Sequence, residues 1–116
     1  MKNAVLVEGP PIAGHHVQHC DEKHQLIIDT TIVPCTPSEY IVLMLVLQTA
    51  RVVPLTTLAE KALQSKLTRS TRRALTQHVS RARAKLWPFG LDIRCIAGHG
   101  YLMVSLSPEQ SAPQAG

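Results

Sequence analysis

The sequence predicts an α+β fold: an N-terminal antiparallel sheet, three helices and a C-terminal β-hairpin. Three observations predict it. Short, β-branched apolar runs fill the first 34 residues. A helix-start pattern stands at residues 36–39, and helical spacing of apolar residues continues to residue 87. Near the C-terminus, two alternating runs flank Gly98-His99-Gly100.

Residues 4–34 supply the sheet. Ala4–Val7 is a first apolar run, ended by Gly9-Pro10-Pro11, and His16–Cys20 is a second. Gln25–Ile28 and Thr31–Val33 lie on either side of Asp29-Thr30, which reads as a hairpin turn. Up to four strands follow. Thr36-Pro37-Ser38-Glu39 then starts a helix: Thr36 caps it, Pro37 suits its first position and Glu39 completes a capping box. This helix is expected to reach about Thr49. Its Ile41–Leu47 segment is apolar on every side, which predicts a central, buried position. Val52-Val53 is expected as a short strand. After Pro54, the stripe Leu55, Leu58, Ala59, Ala62 and Leu63 marks a second helix. The loop Ser65–Ser70 leads to a third helix at about 70–87, which Pro88 ends because proline cannot continue it. Asp92–Ile96 and Tyr101–Leu106 form the hairpin, with glycines for positive-φ positions between them. Residues 1–106 thus read as one domain, comprising a sheet (1–34), a three-helix core (36–87) and a hairpin (92–106). Residues 107–116 are small and polar and read as a flexible tail.

Composition narrows the function. Only 3% of the 116 residues are aromatic, so the core must be mainly aliphatic. The longest apolar run is far shorter than the ~20 residues that span a bilayer, and the N-terminus lacks a signal-peptide pattern. Cys20, Cys35 and Cys95 are odd in number and widely spaced, so they read as reduced thiols. A cytoplasmic location without membrane contact is expected. There is no glycine-rich phosphate loop, no nucleophile motif and no carboxylate pair in one segment; neither an enzyme nor a cofactor is predicted. His15, His16, His19, Cys20 and His24 are ligand types for Zn or Cu. Their spacing fits no zinc pattern, and strand alternation splits them between two faces, so they read as a polar surface hairpin and no metal site is predicted.

Charge carries the strongest signal. Residues 61–91 hold eight of the twelve Lys and Arg residues and no Asp or Glu. On a helix at about 100° per residue, Leu75, Val79, Ala82 and Leu86 form one narrow stripe toward the core. Arg73, Gln77, Ser80 and Ala84 lie opposite, with Ser70 and Arg81 at the margins. Arg72, His78, Arg83 and Lys85 flank the stripe. One-signed charge gains nothing from intrahelical ion pairs but attracts a polyanion. Small and polar residues with arginine on both sides suit base edges and phosphates in a DNA major groove. Two helices ahead of a basic helix give helix-turn-helix geometry, and the hairpin would stand beside the duplex as a wing.

Four segments then match a known family in order and spacing. Cys35-Thr36-Pro37-Ser38-Glu39-Tyr40 resembles the first-helix opening of OmpR/PhoB-type winged-helix domains. Residues 51–58 resemble their Arg-Val-Val segment, residues 77–86 their recognition helix, and residues 96–102 their wing. The resemblance covers about residues 26–106. It implies a winged helix-turn-helix acting as a stand-alone effector without a receiver domain, and a bacterial transcription regulator. Departures occur at Ala97, where the family often has arginine, and at Ala82 and Cys35, where leucine is usual.

The expected DNA contacts are Arg73, Gln77, Ser80 and Arg81 in the major groove. Arg69, Arg72, Arg83 and Lys85 are expected at phosphates or as solvated charges. The wing near 97–100, with Arg94 or His99 in place of the missing arginine, is expected at the adjacent backbone or minor groove. Double-stranded DNA is the expected partner. Homodimerisation on tandem sites and an RNA polymerase contact are implied by the resemblance alone. Two alternatives stay open at this point: a protein-interaction module binding RNA polymerase or another regulator, and a non-specific DNA binder.

Overall fold

The computed structural model describes residues 6–9, 11–49 and 51–106. The chain opens with strands β1 (Val7–Glu8), β2 (Val17–Cys20), β3 (Gln25–Ile28) and β4 (Thr31–Pro34), which form one antiparallel sheet in that order. Of the expected first run Ala4–Val7, only Val7 lies in β1; Ala4 and Val5 fall outside the described residues, as do residues 107–116. Register explains the burial pattern. Leu26 pairs with Val33 and both are buried, whereas Ile27 pairs with Ile32 on the other face, where Ile32 is exposed. Asp29 turns β3 into β4 at a φ of 59°, a left-handed conformation that Asp tolerates better than most residues.

Helix α1 (Pro37–Gln48) begins with the expected capping box. The Glu39 amide donates to Thr36 Oγ1 at 3.3 Å, and the Thr36 amide donates to Glu39 Oε1 at 3.2 Å. Val42, Leu43 and Val46 are fully buried, and Ile41, Met44 and Leu45 are half-buried against the core. This helix has no polar face because it is enclosed. It packs on α2 (Leu55–Leu63), on α3 (Arg69–Leu86) and on the last strand, β7 (Gly100–Ser105). Helix α2 ends at Gln64, which takes the left-handed conformation. Helix α3 starts earlier than expected. Thr68 is its cap, accepting from the Thr71 amide at 3.2 Å, so Arg69 and Ser70 belong to the helix rather than the loop. Its stripe of Leu75, Val79, Ala82 and Leu86 is buried. A 3-10 turn over Trp87–Phe89 follows at Pro88.

The hairpin of β6 (Leu91–Ile96) and β7 gains a third strand. β5 (Val53–Pro54) pairs with β7, Val53 opposite Tyr101 and Pro54 opposite Gly100, giving the order β5-β7-β6. This pairing fixes the wing to the base of α2, where the Leu55 amide donates to the His99 carbonyl at 3.1 Å. The two wing glycines serve different needs. Gly98 has the expected positive φ, at 77°. Gly100 does not, which corrects the expectation for it. A Cβ there would lie 1.9 Å from the Val53 carbonyl oxygen, so glycine is required by close backbone approach.

That difference is testable. Gly100→Ala must push strands β5 and β7 apart and should cost about 2 kcal/mol or more. Gly98→Ala meets open space and should cost only the left-handed penalty of about 1–2 kcal/mol. Denaturant unfolding of the two variants would show the order, and a milder loss at Gly100 would refute the close-approach account.

Candidate nucleic-acid interface

Helix α3 has 18 residues, a length of about 27 Å at 1.5 Å per residue. Its buried stripe turns the opposite face outward. Arg73, Gln77, Ser80, Arg81 and Ala84 are all exposed, as are Arg69, Ser70 and Arg72 at the N-terminal end. A shallow depression along that end is lined by Thr68, Arg69, Ser70, Arg73 and Gln77. The first turn contains no acidic residue. Cations there face the positive end of the helix dipole, which is unfavourable in the free protein and becomes favourable when an anion binds between them.

The other end of α3 is built differently. Arg83 Nε donates to Asp92 Oδ1 at 2.5 Å, and Arg83 Nη2 to Oδ2 at 3.2 Å. Arg94 Nε, from the wing strand, donates to Asp92 Oδ2 at 2.8 Å, and the Ile93 amide donates to Oδ1. The Asp92 side chain is 1% exposed, while both arginines remain about half-exposed. The carboxylate is therefore covered by its own partners, one side-chain layer below water. Burial alone would raise its pKa, but the two guanidiniums and the amide outweigh it and hold the carboxyl below the usual range.

Lys85 makes the second anchor. Its Nζ donates to Glu39 Oε1 at 2.5 Å and to the Pro34 carbonyl at 2.7 Å. Burial would raise the Glu39 pKa as well; Lys85 and the Thr36 amide reverse the sign. The capping-box carboxylate of α1 thus also grips α3. Arg83, Lys85 and Arg94 were expected as DNA contacts, with Arg83 and Lys85 otherwise as solvated charges. Within this chain each of the three is bound to a buried carboxylate, Arg83 and Arg94 to Asp92 and Lys85 to Glu39. The sequence reading missed Asp92 and Glu39 as partners. The available signal was a carboxylate inside an apolar strand, Leu91-Asp92-Ile93, following a helix rich in cations.

The wing tip is Ala97-Gly98-His99, all exposed. His99 is tied through its backbone, its amide donating to the Ile96 carbonyl at 2.9 Å, which leaves the imidazole at the surface. Tyr101 is half-buried and packs on the core. The N-terminal histidines disperse rather than converge, and among the described residues no metal-binding group forms. His15 places Nδ1 2.9 Å from Asp29 Oδ2 and Nε2 2.7 Å from the Phe89 carbonyl, joining the sheet to the turn after α3. His16 faces Glu8. His19 Nδ1 lies 3.1 Å from the Tyr40 hydroxyl and 3.2 Å from Asp21. Tyr40 donates to Asp21, the chief reason the Asp21 pKa is lowered, while burial and that same carboxylate push the Tyr40 phenol up.

The arrangement can be set beside known proteins. A scan of protein-family models and a search of curated proteins find no match. Among solved structures, the DNA binding domain of CpxR from E. coli is similar, with a TM-score of 0.66 and 25% sequence identity over 86% of this chain and 98% of that one. This bears out the fold class and the OmpR/PhoB-type resemblance read from the sequence. No described helix is long and apolar enough to cross a membrane.

The contrast between anchored and open cations yields a stability test. Lys85→Met leaves the Glu39 carboxylate buried without its cation and should cost about 2–3 kcal/mol at neutral pH. Arg73→Ala should cost almost nothing. Acid supplies the second check. The lowered pKa values of Glu39 and Asp92 give stability that is present above about pH 4, the unfolded range, and lost as pH falls through the folded values. Because Glu39 without Lys85 protonates readily, the deficit of Lys85→Met should shrink toward pH 4. A deficit that stays constant in melting curves across pH would contradict the anchor.

Proposed function

We propose that this OmpR/PhoB-type winged-helix chain is a transcription regulator that binds double-stranded DNA in a sequence-specific way. Helix α3 enters the major groove, and the wing tip at 97–100 meets the adjacent backbone or minor groove. One observation carries the reading. Arg83, Lys85 and Arg94 are bound by internal carboxylates, whereas Arg69, Arg72, Arg73 and Arg81 are exposed and, among the described residues, form no ion pair. Arg69, Arg73 and Arg81 stand on the outward side of one helix with Gln77 and Ser80 between them, and Arg72 flanks the buried stripe; this is the mixture of cation and amide that base edges and phosphates require. The similar solved structure is itself a DNA binding domain, which favours the same use of this fold.

In this reading Arg73, Gln77, Ser80 and Arg81 read bases. Arg69 and Arg72 hold phosphates at the start of α3, where the helix dipole adds to their charge. Arg83 and Arg94, half-exposed over the Asp92 carboxylate, contribute field and orientation more than direct contact. Two copies on tandem sites, and a polymerase contact through the α2–α3 loop, are further proposals that follow from the resemblance.

Selection from a random DNA pool at near-physiological salt should recover a shared motif. Arg73→Ala with Arg81→Ala should weaken binding to that motif by at least about 30-fold, two contacts at ~1–3 kcal/mol each, with the melting temperature unchanged. Arg69→Ala should instead weaken all sequences alike and make the log–log salt dependence shallower by about 1. Unchanged affinity in the double variant would remove α3 from the interface, and wild-type protein that enriches no motif would favour the non-specific or protein-binding alternatives.

A further inference from the structure

A cleft of about 420 Å³ separates the wing tip from the α2–α3 corner, and its walls include Thr56 of α2, Arg72 of α3, and Gly98 and His99 of the wing. Arg72 and His99 thus approach the same space from two elements, and no carboxylate lines it. The wing has little other charge to offer. From Cys95 to Ser105 it contains no Lys, Arg, Asp or Glu, and Arg94 is bound to Asp92. Apart from Arg94, which stays half-exposed, His99 is the one side chain of the wing able to carry a positive charge.

We propose that Arg72 and His99 together hold one DNA backbone phosphate in this cleft, and that DNA binding takes up a proton at His99. This rests on the DNA-binding reading above. The proton comes from solvent and sits on the free imidazole nitrogen, which then donates to a phosphate oxygen; no covalent bond forms or breaks. A phosphate bound between the two groups favours the charged imidazole, since each cation then faces an anion. Bound protein therefore carries more protons than free protein, and affinity rises as pH falls. Imidazole ordinarily titrates near about pH 6.5, so the window is about pH 6–8. Among the lining residues Arg72 alone carries charge beside His99, none coming from β5, α2 or the α2–α3 loop. Nearby Arg51, Lys66 and Arg69 are side-chain types that ordinarily stay charged throughout that window and add no slope of their own.

The test uses the full chain and a mixed-sequence duplex of about 30 base pairs, enough for a winged helix and its flanks. A phosphate contact needs no particular sequence. Affinity is measured from pH 6 to 8 at fixed ionic strength. The wild type should tighten as pH falls, by up to about tenfold per pH unit, the limit for one proton. His99→Ala should be weak and lose that slope, while His99→Arg should bind tightly with no slope. Both variants keep the fold, because His99 is exposed and held only by its backbone. Arg72→Ala combined with His99→Ala should lose less than the two single losses together at pH 6 and show no such coupling at pH 8. A His99→Ala protein that keeps the wild-type slope overturns the proposal. Wild-type protein that binds no DNA at any pH overturns the DNA-binding reading, and this proposal with it.

Discussion

Two buried carboxylates hold the basic helix in place. Glu39 in α1 takes Lys85, and Asp92 in β6 takes Arg83. Both cations lie in the last turn of α3. An aliphatic stripe can bury α3, but hydrophobic contact is non-directional and leaves rotation and sliding loosely specified. Charge-assisted hydrogen bonds to carboxylates on two different elements fix both. Removing either acid would leave the stripe intact and the helix poorly aimed.

The anchors also divide the charge of α3 along its length. Cations at the C-terminal end complement the helix dipole and have internal acids; those at the N-terminal end oppose the dipole and have none. The same helix is therefore stabilised at one end and left electrostatically unsatisfied at the other. An anionic partner at the N-terminal end would remove that mismatch, so in the proposed reading the charge pattern serves folding and recognition with different residues of one type.

The parts legible in the sequence are those set by short spacing. The capping box spans three residues, and the stripe of α3 repeats at the helical period, so both could be read directly. The Gln25–Ile28 and Thr31–Val33 hairpin was legible because β-branched runs bracket a turn. The ion pairs were not. Lys85 and Glu39 are 46 residues apart, and nothing local distinguishes Lys85 from Arg81. The start of α3 was ambiguous because Thr68, Ser70 and Thr71 can each cap a helix; tertiary position chose Thr68. Gly100 looked like a turn glycine beside Gly98, and only the pairing of β5 with β7 reveals the backbone it must clear. The outward face of α3 could thus be drawn from periodicity, while the sorting of its cations into anchored and open required the fold.

Asp92 joins this sorting to the wing. It binds Arg83 of α3 and Arg94 of β6 at once, so helix and wing share one carboxylate. β5 ties the same wing to the base of α2. Two surfaces fixed to each other before contact would lose little conformational freedom if a rigid duplex spanned them, as proposed. The rigidity has an electrostatic consequence. Asp92 offsets part of the charge of Arg94, which stays half-exposed, and Ala97 supplies no cation at the tip. What remains at the tip is the exposed His99 imidazole, which lines one cleft with the Arg72 guanidinium. The contact that locks the scaffold is thus also the contact that engages the permanent cation of the wing strands.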